Sequence, residues 1–199
     1  LISFLLCLSS TSFSNEINFE AENIETIDKN LIKATNNIII SDSQGNKIYG
    51  EKLTIKDEKI YTITENVVFE NTKDSIELNT EKIIYNISNN IIKTIGDTKI
   101  VKDNTYFITT SNVLYNVKNK KISSTEETLL EDLLSNKVKI KNFNISLTEN
   151  LLKANNAFII DKSLNQYELE KFLYDFQQNR ILGKDVILNQ DNNLSTERY

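Results

Sequence analysis

The stretch that decides the fold reads Glu81-Lys82-Ile83-Ile84-Tyr85-Asn86-Ile87-Ser88-Asn89-Asn90-Ile91-Ile92-Lys93-Thr94-Ile95-Gly96-Asp97-Thr98-Lys99-Ile100. Shifted copies of it recur along nearly the whole chain, and each copy opens with a pair of residues that flank one position. The pairs are Ile24/Thr26, Leu53/Ile55, Ile83/Tyr85, Val113/Tyr115, Phe143/Ile145 and Phe172/Tyr174, so the first members are 29, 30, 30, 30 and 29 residues apart. A fixed period in this range is typical of solenoids, in which each repeat buries its apolar face against its neighbours.

From Ile17 onward, short runs of alternating apolar and polar residues are separated by clusters of Asn, Asp, Gly and Lys. Period-two alternation with turn residues between the runs predicts β-strands, and the β-branched residues that fill the runs favour the same structure. Residues 126–134 are ambiguous, because their spacing suits a helical turn, a long loop or a strand with a distorted turn. We favour the distorted strand, so the sequence predicts an all-β chain with a coil period of about 30 residues.

Strand alternation directs one side chain of each pair inward and the next outward. The predicted inward ladder consists of Leu53, Ile55, Ile83, Tyr85, Val113, Tyr115, Phe143, Ile145, Phe172 and Tyr174. Such a ladder can be simply the core of a solenoid, since each buried aliphatic or aromatic side chain contributes about 1.5–3 kcal/mol. The three tyrosines share one position in their copies, which suits a rim where an apolar lining meets water. A rim of this kind favours the interpretation that the ladder lines a groove along which lipid moves.

Composition excludes several classes of function. The chain has 199 residues with 23 basic and 28 acidic side chains, a formal charge of −5, and the basic residues are scattered, which disfavours nucleic acid as a partner. It contains no His and a single Cys, Cys7. His-based triads, Cys nucleophiles, zinc sites and haem sites are therefore excluded. The acidic clusters, such as Asp57-Glu58, lack repeating ligand spacing, so we expect no enzyme activity, no metal and no cofactor.

Residues 1–14 form an apolar run that is too short to span a bilayer and ends in small residues. This pattern predicts the remnant of a secretory signal peptide, with cleavage before Asn15. A lipoprotein signal on Cys7 is the alternative, but bulky leucines precede that cysteine.

The second strand of each copy carries an apolar-x-small motif. The four copies are residues 32–40 (IKATNNIII), 61–69 (YTITENVVF), 92–100 (IKTIGDTKI) and 152–160 (LKANNAFII). They resemble the Ile-x-Ala-x-Gly-Asn-Val-x-Ile repeat of the OstA-like lipopolysaccharide transport family, and the resemblance covers about residues 17–190. The chain departs from that motif at Asn36 and Glu65, which replace Gly, and at Asp97-Thr98, which replace Asn-Val. At this point of each copy we predict a bend or bulge with positive φ, where Gly and Asn are favoured.

The resemblance implies an elongated, slightly twisted β-jellyroll of stacked V-shaped antiparallel strands over residues 15–192, open on one side. In this family the ladder would line a groove for lipopolysaccharide acyl chains, and the protein would be a non-enzymatic conduit. Two members of the family fit: the N-terminal periplasmic domain of an outer-membrane LPS-assembly protein of the LptD type, and an LptA-type bridge protein. The first is favoured because residues 181–189 and 195–199 look like the stretch before the LptD barrel, with 193–199 as the start of a linker.

The family also implies partners and a location. We expect lipopolysaccharide as the ligand, an LptA-type bridge subunit docked on the N-terminal edge at Ile17 and Phe19, and an LptE-type lipoprotein plug that contacts the barrel. The expected location is the periplasm of a Gram-negative bacterium, as a domain of an outer-membrane protein.

Two classes of protein outside the family share a similar repeat length. One is a secreted parallel β-helix that acts as an adhesin or a polysaccharide binder. The other is a β-helix enzyme that cleaves polysaccharides, which requires convergent carboxylates that the sequence does not offer.

Overall fold

The computed structural model describes residues 17–189. The predicted signal remnant at 1–14, the cleavage point before Asn15 and the linker at 193–199 lie outside this range. The described chain is all-β, and its paired strands run antiparallel. The predicted all-β antiparallel class is therefore confirmed. The parallel β-helix alternative is wrong for residues 17–189, because such a helix pairs its strands in parallel.

The chain divides into two compact units, one up to residue 100 and the other from residue 101. The strands of unit 1 are β1 Ile17–Glu20, β2 Asn23–Asp28, β3 Leu31–Asp42, β4 Asn46–Lys56, β5 Ile60–Asn71, β6 Ile76–Asn86 and β7 Ile91–Thr94, while β8 Asp97–Lys102 runs across the division. Strands β3 to β6 pair in chain order, β1 and β2 both pair with β3, and β7 and β8 both pair with β6. The prediction of one repeat domain over 15–192 stays a prediction.

Unit 2 repeats this arrangement. Its strands are β9 Tyr106–Ser111, β10 Leu114–Asn116, β11 Lys121–Asp132, β12 Lys137–Ser146, β13 Leu151–Ile160, β14 Gln166–Asp175 and β15 Arg180–Asn189. Strands β11 to β15 pair in chain order, and β9 and β10 both pair with β11. In each unit, two short strands therefore occupy the place of one long bent strand.

The long strands bend near their middle, where the sequence predicts it. The register of the ladder shifts there, for example between Thr64 and Val67 of β5, which is the mark of a bulge. Positive φ angles occur at the predicted positions of the family-like motif, at Asn36, Asn37, Glu65, Asn66, Gly96 and Asn156. The bend prediction is confirmed, and it lets both arms of a strand turn an apolar face toward the interior of their unit.

Residues 126–134 are a strand followed by a turn. Strand β11 extends to Asp132, and its register with β12 shifts between Ser124 and Glu127. The favoured distorted strand is confirmed, and the helical alternative is wrong. The physical reason is that this segment pairs with strands on both sides, so its backbone hydrogen bonds go to β9 and β12.

Three hairpins share a turn motif that the sequence analysis did not single out. An Asp carboxylate accepts hydrogen bonds from its own turn and from an Asn four residues later, in the pairs Asp42/Asn46, Asp132/Asn136 and Asp161/Asn165. At Asp161 these bonds, above all the one from the Asn165 amide, hold the pKa of the carboxyl below its ordinary value. The Asp-x-x-x-Asn spacing is the signal that identifies these turns as self-capped.

Gly50 allows one close approach between β4 and β5. A Cβ placed on Gly50 would lie 2.5 Å from Cγ2 of Ile63, a buried side chain. We expect Gly50→Ala to lower the free energy of unfolding by about 1–3 kcal/mol through overpacking. Denaturant unfolding in the wild-type and Ile63→Ala backgrounds measures the effect. The cost of Gly50→Ala should shrink when Ile63 is truncated, and an unchanged cost would show that the contact is not the cause.

Candidate functional site

The predicted inward ladder is buried throughout. Its ten members are between 0% and 5% exposed: Leu53, Ile55, Ile83 and Tyr85 in unit 1, and Val113, Tyr115, Phe143, Ile145, Phe172 and Tyr174 in unit 2. Further side chains of unit 1, among them Ile63, Phe69 and Leu78, are fully buried and were not among the predicted lining residues. The alternation of apolar and polar residues on the neighbouring strands also indicates that these side chains face inward. The inward register is thus correct, while contact of these side chains with lipid stays a prediction.

The expected tyrosine rim is wrong. Tyr85, Tyr115 and Tyr174 are 2%, 1% and 5% exposed, so their rings do not border solvent. The three tyrosines lie near the ends of β6, β10 and β14. The sequence carries no information on how neighbouring segments cover those ends. In both units the three rings belong to the packed interior.

In unit 1 the ladder forms two rows across paired strands. Ile63 lies opposite both Leu53 and Ile83, and Tyr61 lies opposite both Ile55 and Tyr85. These side chains are all at least 90% buried, so the interior of unit 1 is packed. The arrangement gives an apolar interior whose polar groups are few and close to the turns or bends.

The Tyr85 hydroxyl is an exception to the rule that buried polar groups are paired. It is the one buried side-chain polar atom among the described residues that has no hydrogen-bond partner. Burial raises the pKa of Tyr85 well above its ordinary value, and the charges of Asp42 and Tyr61 add to the effect. The hydroxyl is therefore protonated at neutral pH.

Buried hydroxyls line the bends in both units. Thr80, Thr94 and Thr98 form one cluster in unit 1, and Thr110, Ser124 and Thr128 form another at positions 30 residues later in unit 2. They bond to one another and to backbone carbonyls, for example Thr80 to Asp97 at 2.9 Å and Ser124 to Ser111 at 2.8 Å. Because these hydroxyls are satisfied by the bulged backbone, we assign them to the structure of the bends.

In unit 2 the two ends of the bent strands meet. The Tyr106 hydroxyl, at the start of β9, donates to the carbonyl of Phe176, in the turn after β14, at 3.2 Å. Its ring packs edge-on against Tyr174 and Phe176, with centroids 5.5 and 4.8 Å apart. The open side that the family resemblance implies is therefore closed at this point of unit 2.

Lys102 reinforces the same contact. Its side chain is only 2% exposed, its Nζ lies 2.8 Å from Oδ2 of Asp103, and it sits 5.4 Å from the centroid of the Phe176 ring. Lys102 occupies the turn position that Asp42 and Asp132 hold in other hairpins. A lysine cannot accept hydrogen bonds from the turn, so its side chain serves the contact with Phe176 instead.

Two cavities in unit 2 differ in their relation to the ladder. One of about 170 Å³ lies beside the closed contact and is lined by Tyr106, Leu130, Asp132, Asn136, Val138, Tyr174, Asn179 and Ile181. The other, about 620 Å³, is lined by none of the ladder residues and includes Glu127, Lys139 and Lys141. The smaller cavity is the one with a ladder residue, Tyr174, in its wall.

The N-terminal edge of unit 1 is formed by β1 and β2. Within residues 17–189 these strands pair only with β3, and Ile17 and Phe19 lie opposite Asp42 and Ile40. Ile24 and Ile27 of β2 are 41% and 45% exposed, so this edge presents apolar side chains. The edge position predicted for β1 agrees with this pairing, and its docking role stays a prediction.

Three lysines that hold the same position in their copies of the repeat are exposed. Lys33, Lys93 and Lys153 all point away from the apolar faces of their strands. In the described part of the chain, no group of three Asp or Glu side chains is arranged to hold a metal ion. Within the same residues, no helix is long and apolar enough to cross a membrane.

Burial of tyrosines predicts alkaline sensitivity. Burial and the hydrogen bond to Glu70 raise the pKa of Tyr49 from 10.0 to about 12, and burial also raises the pKa of Tyr61 and Tyr174. Above pH 10 the unfolded tyrosines ionise while the folded ones stay protonated, so the free energy of unfolding should fall as the pH rises from 10 to 12. Denaturant unfolding at several pH values between 10 and 12 measures this fall, and a free energy of unfolding that stays constant over these values would contradict the expectation.

No protein-family model matches the chain, and no curated protein sequence matches it. Among solved structures, a similar chain is LptH of Pseudomonas aeruginosa, described as the LptA-homologous periplasmic component of the conserved lipopolysaccharide transport device. The two chains are 13% identical over an alignment that covers 92% of this chain and 90% of LptH, with a TM-score of 0.24. A likeness at this score supports no inference about the ligand or partners of this chain.

Proposed function

We propose that this chain is a non-enzymatic carrier of lipopolysaccharide that holds acyl chains in the apolar interiors of its units. The observation that carries the proposal is the ladder itself, ten apolar or aromatic side chains that recur about every 30 residues and all face inward. The repeat motif that resembles the OstA-like family adds the class of ligand. The proposed location is the periplasm.

A packed interior can accept a hydrocarbon chain only by separating the side chains that fill it. The exchange is favourable in principle, because an acyl chain replaces apolar contacts with apolar contacts and removes its own surface from water. Each buried methylene contributes about 0.8 kcal/mol, so a long acyl chain offsets the cost of opening the unit. Unit 2 has unfilled space beside its ladder in two cavities, one of about 170 Å³ next to Tyr174 and one of about 330 Å³ next to Phe172.

Photo-crosslinking of the purified chain tests the carrier proposal. A photoreactive phenylalanine analogue at Phe143, a buried aromatic ladder residue, should label lipopolysaccharide on illumination. The same analogue at Asn119, in the turn after β10, should not. Labelling of equal strength at both positions would remove the proposal, and a thermal melt of each variant confirms that it is folded.

Within the family, we favour the N-terminal domain of an LptD-type assembly protein over an LptA-type bridge. The support is the sequence likeness of residues 181–189 and 195–199 to the stretch before an LptD barrel. On this proposal an LptE-type plug contacts the barrel, and an LptA-type subunit docks on β1 by adding a strand to its edge. Determining the gene sequence beyond Tyr199 separates the two, because a barrel requires a long series of alternating amphipathic strands.

The docking proposal has its own test at β1. In an edge strand, successive N–H groups alternate between the paired neighbour and the free side. Proline at Asn18 and proline at Phe19, made separately, should therefore differ. The variant that loses an N–H on the free side should lose bridge binding with a small effect on stability. The variant that loses an N–H on the side of β3 should have weaker pairing with β3. Two variants that both bind the bridge subunit normally would place the docking surface elsewhere.

A further inference from the structure

The Tyr85 hydroxyl is a polar group that the fold itself does not explain. The side chain is 2% exposed, and its oxygen has no hydrogen-bond partner. A phenylalanine would fill nearly the same volume without an unpaired hydroxyl, and an unmade buried hydrogen bond is costly. Other buried tyrosines show the usual solution, since Tyr106 donates to Phe176 and Tyr174 donates to Asn179.

The neighbours of Tyr85 make no hydrogen bond with its hydroxyl. Asp42 is close enough for its charge to act on the tyrosine. Both of its carboxylate oxygens, however, already accept hydrogen bonds from Gln44 and Asn46, at 2.7–3.0 Å. Tyr61, directly across the strand pair, contributes a second hydroxylated ring. The Tyr85 hydroxyl is therefore an unpaired donor inside an apolar interior.

We propose that Tyr85 is a specificity-determining residue that donates a hydrogen bond to an oxygen on the acyl chain of a bound lipid, so that unit 1 prefers hydroxylated acyl chains to plain ones. The inference rests on the proposed carrier function and deepens it. Tyr85 is the last ladder residue of β6 before the turn, beside the purely apolar Ile83. An oxygen near one end of an otherwise hydrocarbon chain matches that order of polar and apolar groups. A ligand oxygen at this place completes the hydrogen bond that the chain lacks.

A binding experiment with two matched amphiphiles tests the inference. The probes are 3-hydroxymyristate and myristate, which differ by one hydroxyl, and the proteins are the wild-type chain, Tyr85→Phe and Tyr49→Phe. The wild type should bind the hydroxylated probe about tenfold more tightly, the ratio expected for one net hydrogen bond. Tyr85→Phe should bind both probes equally. Tyr49→Phe should keep the preference, because that hydroxyl is already used by Glu70 at 2.7 Å.

Stability measurements guard against a structural explanation. Since the Tyr85 hydroxyl has no partner, Tyr85→Phe should melt at the wild-type temperature or above it. A lower melting temperature would show that the hydroxyl supports the fold and would overturn the inference, as would a preference that survives in Tyr85→Phe. Equal binding of the two probes by the wild type would overturn this inference alone. Binding of neither probe would overturn the carrier function as well.

Discussion

Ile83→Asp is expected to abolish the cooperative unfolding of unit 1. Ile83 is 0% exposed and lies between Ile63 on β5 and Thr94 on β7, so an aspartate there would place a carboxylate in a packed apolar interior. A buried, unpaired charge of this kind costs about 3–5 kcal/mol or more, which is comparable to the whole stability of a small unit. The variant should therefore be unfolded, or have a strongly raised pKa at the new carboxyl.

The matched control is Ile84→Asp, one residue along the same strand. Ile84 lies on the opposite face and is partly exposed, so its replacement should cost about 1 kcal/mol. Circular dichroism melts of the two variants at neutral pH measure the difference. If Ile83→Asp melted like Ile84→Asp, water would have access to the ladder, and the interior of unit 1 would be an open groove.

The second large effect is expected at Lys102, where one substitution should strongly destabilise unit 2 and another should leave its stability almost unchanged. Lys102→Glu would bury a carboxylate next to Asp103 and against the face of Phe176, and should destabilise unit 2 by about 3–5 kcal/mol. Lys102→Met keeps the length of the side chain and removes the charge. Asp103 is 42% exposed, so water can solvate its carboxylate when the lysine charge is removed, and this variant should remain within about 1 kcal/mol of the wild type.

Denaturant unfolding of both Lys102 variants provides the measurement. The comparison separates the packing of the lysine stem, which methionine retains, from the attraction between its charge and the Phe176 ring. A large loss in Lys102→Met would show that the charge itself holds the two strand ends together. Equal and small effects in both variants would show that Lys102 is not buried against Phe176 in solution.

The closed contact in unit 2 bears on how a lipid would enter. Tyr106, Tyr174 and Phe176 join the two ends of the bent strands at one place, and the cavity of about 170 Å³ lies next to it. A hydrocarbon chain that reaches the ladder of unit 2 from this side has to part these rings. The carrier proposal therefore requires a conformational change here, whereas a groove open along its length requires none.

The sequence by itself determined the features that depend on neighbouring residues along the chain. The period of about 30 residues, the strands, the bends at Asn36 and Gly96, and the inward face that includes Ile83 all follow from local patterns. Side-chain alternation in a strand is fixed by backbone geometry, and positive φ favours a few residue types, so these signals can be read without knowledge of the fold.

Only the tertiary structure decided how the ends of the strands are covered. Tyr106 and Phe176 are 70 residues apart in sequence, and no repeat pattern indicates that they touch. The burial of Lys102 and the unpaired hydroxyl of Tyr85 follow from the same cause, since both lie near strand ends whose surroundings are set by distant segments. Alternation fixes the direction in which a side chain points, but the segments that pack over it depend on the curl of the bent strands, which arises from the whole unit.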